Sequence, residues 1–116
     1  MAATGVSSFN FTGIAGENLT NQEYRAVNYN ANGQVVLAAA GGRSIGILQM
    51  GDNVGRPVTI MKTGISIVRY GAPVLAGADL ASDAVGDLVP AVPLDVVVGY
   101  ANAAGAAGEY HSALLK

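Results

Sequence analysis

The chain has 116 residues, the length of one typical domain. Only 12% of them are charged, about half the usual share. The formal net charge is −2 with few, scattered cations, which argues against nucleic acid as a partner, because phosphate backbones are bound by clustered Lys and Arg. There is no cysteine, so disulfides and thiolate metal sites are excluded.

The chain also lacks the signals of membrane insertion or export. No apolar run approaches the roughly 20 residues needed to cross a bilayer, and the opening "MAATGVSSFNF" has neither the basic start nor the long apolar segment of a signal peptide. We therefore expect a soluble protein made in the cytoplasm, with no membrane partner. A chain this poor in charge is expected to bury part of its surface against other subunits.

Glycine and proline divide the chain into short apolar segments. Sixteen glycines and four prolines give the spacing of a small all-β barrel or sandwich. Residues 1–22 are polar and glycine-punctuated and are predicted to form an extended N-terminal arm, followed by one β domain over residues 23–116. Strands are predicted at residues 24–29, 34–38, 44–49, 57–62, 65–70, 87–91, 96–101 and 109–115.

The second half of the chain echoes the first. Residues 33–63 align without a gap on residues 86–116, an offset of 53, and upstream Val27 falls on Leu80. The identities are Gly33 with Gly86, Val36 with Val89, Ala38 with Ala91, Gly46 with Gly99 and Gly55 with Gly108. The pattern predicts two similar halves, each a turn, strand, glycine-containing strand, loop and strand. The alternative is a chance alignment of Gly, Ala and Val.

Two single residues suggest chemistry. Lys62 in "IMKTG" resembles the lysine that biotinyl and lipoyl carrier domains present at a hairpin tip, although Thr63 stands where a biotinyl domain has Met. The alternative is a solvated lysine ending a strand. His111 is the only histidine, and the adjacent Ser112 would face the other side of a strand, so the two cannot act as nucleophile and base.

Four carboxylates recur at intervals of four or eight residues, namely Asp79, Asp83, Asp87 and Asp95. A calcium loop needs oxygens at alternate positions, whereas Ala and Val fill most positions between these. We interpret the four as turn residues whose side chains bond their own backbone. The sequence thus predicts no metal site, no cofactor and no catalytic group, so the protein is not expected to be an enzyme.

The order of segments over roughly residues 24–116 resembles the small capsid decoration proteins of tailed bacteriophages. The resemblance rests on "AVNYNANGQVVLAAAGGRSIGIL", then "GRPVTIMKTGISIVRYGAPVLAGADLASDAVGDLVPA", then "VVVGYANAAGAAGEYHSALL". It implies a protein that binds the outer surface of the expanded head and cements neighbouring copies of the major capsid protein. It also implies trimers on the virion. A carrier domain modified at Lys62 and a virion surface or fibre protein that does not cement are the alternatives.

The N-terminal segment supplies the predicted contact residues. Phe9 and Phe11 share one face of an extended chain, so they could anchor in a neighbouring subunit by strand addition, or cover the end of the barrel. Asn10, Tyr24 and Arg25 complete the predicted set of capsid- or subunit-contacting residues.

Overall fold

A computed structural model describes residues 8–116 and confirms the all-β prediction. None of these residues belongs to a helix that could serve as a membrane span. The described strands are β1 Phe9–Ile14, β2 Ala26–Tyr29, β3 Val35–Leu37, β4 Gly46–Met50, β5 Pro57–Arg69, β6 Asp79–Ser82, β7 Leu88–Pro90, β8 Gly99–Ala101 and β9 Tyr110–Leu115. They form one sheet in the order β3-β2-β4-β5-β9-β8-β6-β7, with β1 also paired to β5.

The 13-residue strand β5 joins two halves of the molecule. Residues 57–63 of β5 pair with β1, and residues 59–61 also pair with β4. Residues 64–69 pair instead with β9. The change of partners falls at Gly64, whose φ of 118° is open to glycine but rarely to other residues. One strand therefore closes the first half and opens the second.

The two halves are structural repeats, as predicted. An offset of 53 superimposes the bounds of β2 on β6, β3 on β7 and residues 57–62 of β5 on β9. The turns match as well: Asn30 N–H donates to Gln34 O at 2.8 Å, and Asp83 N–H donates to Asp87 O at 2.8 Å. We call residues 9–63 the first repeat and residues 64–115 the second repeat. At the start of each repeat the offset is 55, so β1 corresponds to residues 64–69 of β5.

Each repeat curls until its first strand meets its third. Ala15 after β1 forms a parallel bridge with Val35, and the equivalent Tyr70 bridges Leu88. Gly16 N–H donates to Val35 O at 2.7 Å, and Gly71 N–H donates to Leu88 O at 2.9 Å. The contacts close one side of each half-barrel and leave an opening at the end where its first strand begins.

The repeats bury separate apolar cores. The first core lies inside the first repeat and contains Ala15, Leu19, Val27, Val35, Leu48, Val58 and Ile60. The second core lies inside the second repeat, but Ala26, Ala38 and Ile47 of the first repeat belong to it and Met61 packs against it. The outer side of the first repeat therefore covers the inside of the second.

The N-terminal arm prediction is corrected for the described residues. Phe9–Ile14 pairs along β5 as strand β1, and Ala15 and Leu19 are fully buried. This part of the chain belongs to the β domain, because its apolar residues complete the first core. The arm predicted for residues 1–7 lies outside the described residues.

Candidate interaction surfaces

The junction between the repeats uses different surfaces of each. We call the opening of each half-barrel its front surface and the opposite, outer side its back surface. The back surface of the first repeat meets the front surface of the second. Main-chain bonds run from Ala26 N to Gly86 O at 2.7 Å, Gly41 N to Ser82 O at 2.8 Å, Val96 N to Gly41 O at 3.1 Å and Arg69 N to Tyr24 O at 2.9 Å. The side chain of Gln49 also donates to Ser66 Oγ at 2.9 Å.

A buried carboxylate joins the two surfaces. Asp87 is 5% exposed and accepts a hydrogen bond from Nη1 of Arg69. Arg25 Nε lies 3.3 Å from Oδ1 of Asp87 without hydrogen-bond geometry. Burial raises the pKa of Asp87, and the two guanidinium groups act in the opposite direction. Arg25, predicted as a contact residue, is thus a partner in this ion cluster.

The front surface of the first repeat has no such cover among the described residues. It is a groove of about 390 Å³ lined by Phe9, Phe11, Tyr29, Arg43, Ser44, Ile45 and Lys62. The rings of Phe9 and Phe11 stack with centroids 6.2 Å apart. Phe9 is 56% exposed and Tyr29 is 46% exposed. We call this surface the front groove.

The positions equivalent to the front groove are filled in the second repeat. Ser66 stands for Phe11, Ser82 for Tyr29 and Leu115 for Lys62. All three are buried. The two serines let the first repeat approach closely and Leu115 is apolar, whereas the front groove carries two bulky aromatic side chains and a lysine at the same places.

The back surface of the second repeat is exposed in the same way. Asp79, Leu94, Tyr100 and Leu114 occupy the positions of Ala26, Gly41, Ile47 and Met61. Ala26 and Ile47 are fully buried, whereas Tyr100 and Leu114 are 38% and 41% exposed, and Leu94 is completely exposed. We call these four residues the back patch. Ile65, paired with Leu114 across the sheet, extends the apolar surface.

Positive charge is concentrated on the front groove. Within residues 8–116, Arg25 and Arg69 pair with Asp87, and Arg56 pairs with Asp52 at 3.7 Å. The other three cations are Arg43 and Lys62 in the front groove and Lys116 in an adjoining groove of about 210 Å³ that also contains Lys62. No acidic side chain lines either groove. An electronegative apolar partner would fit this surface.

Comparisons with known proteins place the fold. No family model and no curated protein matches the chain. A solved structure, the head fiber gp8.5 N base in bacteriophage phi29, matches it with a TM-score of 0.76 over 95% of each chain at 19% identity. The two share a fold.

The geometry does not favour the carrier alternative. Lys62 lies inside the continuous strand β5, five residues after its start, rather than at the tip of a hairpin. Its side chain lines the front groove beside Phe9 and Phe11.

The remaining predicted residues lie at several places. Asn10 is exposed on β1, and Tyr24 packs edge to face on Tyr110 with ring centroids 5.9 Å apart. His111 contacts Glu109 at 2.9 Å and stacks on Tyr70. The pKa of Glu109 is lowered mainly by its contact with His111 and secondly by a hydrogen bond from Ala106 N–H.

The prediction that four aspartates act in turns is confirmed for Asp83 and Asp95. It is wrong for Asp79, which begins strand β6, and for Asp87, whose carboxylate is buried beside Arg25 and Arg69. Asp83 Oδ1 accepts hydrogen bonds from the N–H groups of Val85 and Asp87, both at 2.9 Å. Asp95 Oδ2 accepts one from Val92 N–H at 3.0 Å. Residues 8–116 contain no group of three or more His, Asp or Glu side chains placed to hold a metal ion.

Proposed function

We propose that this chain is a structural virion protein that binds the outer surface of an expanded bacteriophage head and cements neighbouring copies of the major capsid protein. The observation that carries the proposal is the shared fold with a phage head fiber base over nearly the whole of both chains. The order of sequence motifs over residues 24–116 points to the same class of virion protein from a separate direction.

The chemistry of the surface supports a binding role without turnover. Apolar side chains are exposed on both the front groove and the back patch, and such surfaces are typical of proteins that bind other proteins. A shell held together against internal DNA pressure needs contacts that span a seam between subunits. A domain with two separate unfilled surfaces can contact capsid protein or further copies of itself along such a seam.

The predicted contact residues fall into two groups. Phe9, Asn10 and Phe11 lie on β1 where side chains reach solvent or the front groove, so they act as direct contacts with capsid or neighbouring subunits. Tyr24 and Arg25 lie at the repeat junction, so they act by holding the two repeats together. In this proposal the protein is made in the host cytoplasm, forms trimers on the shell, and binds neither cofactor, nucleic acid nor membrane.

Binding to isolated heads tests the proposal. Expanded, DNA-filled heads lacking the protein are incubated with increasing amounts of it, sedimented, and then heated while DNA release is followed by dye fluorescence. Cementing predicts saturable co-sedimentation and DNA release at a higher temperature. Unexpanded heads provide the control, because their subunits are arranged differently. Absence of co-sedimentation with expanded heads would contradict the proposal.

A second candidate is a fibre-type virion protein that attaches to the head without strengthening it. The likeness to a head fiber base favours it specifically. The same experiment separates the two, since a fibre-type protein would co-sediment with heads but leave the temperature of DNA release unchanged.

A further inference from the structure

We propose that copies of this chain associate head to tail, with the back patch of one copy covering the front groove of the next. The contact between chains would repeat the junction that joins the two repeats within each chain. This inference goes beyond the proposed function and holds whether or not the protein binds a phage head.

The junction between the repeats is asymmetric. Ala26 N of the first repeat donates to Gly86 O of the second at 2.7 Å. The equivalent of Ala26 is Asp79 and the equivalent of Gly86 is Gly33, and both of these residues are exposed. The same holds for the bond from Gly41 to Ser82, because the equivalents Leu94 and Tyr29 are exposed. A junction of this kind is heterologous, so two repeats always leave one front and one back surface unfilled.

The back patch contains an exposed leucine in an unfavourable backbone conformation. Leu94 has an apolar side chain in full contact with solvent and a φ of 78°, a backbone conformation unfavourable for a residue with a branched side chain. Its equivalent, Gly41, has a φ of 63° and lies against Ser82. In a contact between copies with the geometry of the junction, Leu94 would lie against Tyr29 of the next copy, just as Gly41 lies against Ser82. The front groove has room there for a leucine side chain.

The front groove and the back patch differ in charge. The front groove presents Arg43 and Lys62 and no acidic side chain. The back patch presents Asp79, exposed where the first repeat has a buried alanine, and no Lys or Arg. The two surfaces therefore carry opposite charge, which favours the front groove of another copy over its back patch. A heterologous contact closes into a ring or continues as a filament.

Disulfide trapping between two cysteine variants tests the pairing, because the natural chain has no cysteine. Leu94→Cys and Tyr29→Cys are purified separately in reduced form, mixed in equal amounts and oxidised gently. The junction equivalents Gly41 and Ser82 are joined by a backbone hydrogen bond of 2.8 Å, so the two cysteines would be neighbours across the proposed contact. Both positions are exposed, so folding is preserved. Intact mass distinguishes the mixed dimer from either symmetric one.

The matched control pairs Tyr29→Cys with Val54→Cys, since Val54 is 57% exposed in the β4–β5 loop outside the junction. Head-to-tail association predicts at least about tenfold more mixed disulfide for Leu94→Cys than for Val54→Cys, through the higher effective concentration of the paired surfaces. A mixed yield equal to the control, or a predominance of symmetric Leu94 disulfides, would overturn the pairing.

A second variant keeps the test independent of cysteine chemistry. Leu94→Gly installs the residue that the first repeat carries at this position, so the turn itself is preserved. We expect its dissociation constant for self-association, measured by sedimentation equilibrium, to rise at least about tenfold. Association unchanged by Leu94→Gly, or a natural protein that stays monomeric at every concentration, would overturn the inference. Head co-sedimentation, measured separately, reports on the proposed function.

Discussion

Replacing Asp87 by Asn should weaken the junction between the repeats strongly. The substitution keeps the size of the side chain and an acceptor oxygen, but it removes the negative charge beside Arg25 and Arg69. The carboxylate is 6% exposed, whereas the two arginine side chains are 19% and 28% exposed. The two guanidinium groups would then face each other at a largely buried position without a counter-charge.

The geometry sets the size of the effect. Breaking a buried ion pair by removing one partner costs about 3–5 kcal/mol. Because water reaches part of both arginines, we expect the lower end, about 3 kcal/mol. This is a large share of the roughly 5–15 kcal/mol that stabilises a domain. With a urea dependence of about 1–3 kcal/mol per M, the midpoint of unfolding should fall by about 1–3 M.

Urea unfolding followed by circular dichroism measures this effect. Asp52→Asn is the matched control, because its pair with Arg56 is exposed at the surface and should contribute less than about 1 kcal/mol. A triple variant that replaces each residue by its equivalent in the other repeat, Asp87→Gln, Arg25→Ala and Arg69→Ile, should be more stable than Asp87→Asn, since no charge is left unpaired. An Asp87→Asn cost below about 1 kcal/mol would refute the reasoning.

Two further perturbations follow from the structure. Gly46→Ala should cost more stability than Gly33→Ala by about 2 kcal/mol or more, because a Cβ at Gly46 would lie 2.3 Å from Met61 O and one at Gly33 meets open space; equal urea midpoints would contradict this. Glu109→Gln should remove a small stabilisation that is present above pH 4.5 and lost as the pH falls through the lowered pKa of Glu109. Thermal unfolding above and below that pH checks it, and a natural-to-variant difference that grows in acid would be inconsistent with the sign.

The repeat could be predicted because its glycines are required by the backbone. A Cβ at Gly46 would meet Met61 O at 2.3 Å, and one at the equivalent Gly99 would meet Leu114 O at 2.5 Å. The pairs Gly33 with Gly86 and Gly55 with Gly108 have φ values between 74° and 85°. The side chains around them differ between the repeats, whereas these glycines recur, so the offset is visible in the sequence.

Several strands could not be placed from local pattern. Two strands were predicted at residues 57–62 and 65–70, but β5 runs continuously through Thr63 and Gly64. Strand β6 was missed because "DLAS" is short and begins with an exposed aspartate. Strand β1 falls within the predicted arm because residues 1–22 are polar and glycine-punctuated, yet polar residues are usual on the solvent side of a strand.

The candidate surfaces were predictable only in part. Phe9 and Phe11 were singled out from the sequence, and they do line the front groove. Tyr29, Arg43 and Lys62 join them only through the curl of the sheet. Comparing the halves position by position would have marked these three residues, because the second repeat has Ser82, Val96 and Leu115 in their places. The cluster of Asp87 with two arginines had no local signal, since its members are far apart in the chain.

A reconstruction by electron cryomicroscopy of expanded heads, prepared with and without the added protein, tests the central proposal most directly. We expect extra density on the outer surface across seams between major capsid subunits, into which the two curled repeats fit. Smooth heads without added density, or density confined to the inside of the shell, would contradict the proposed function.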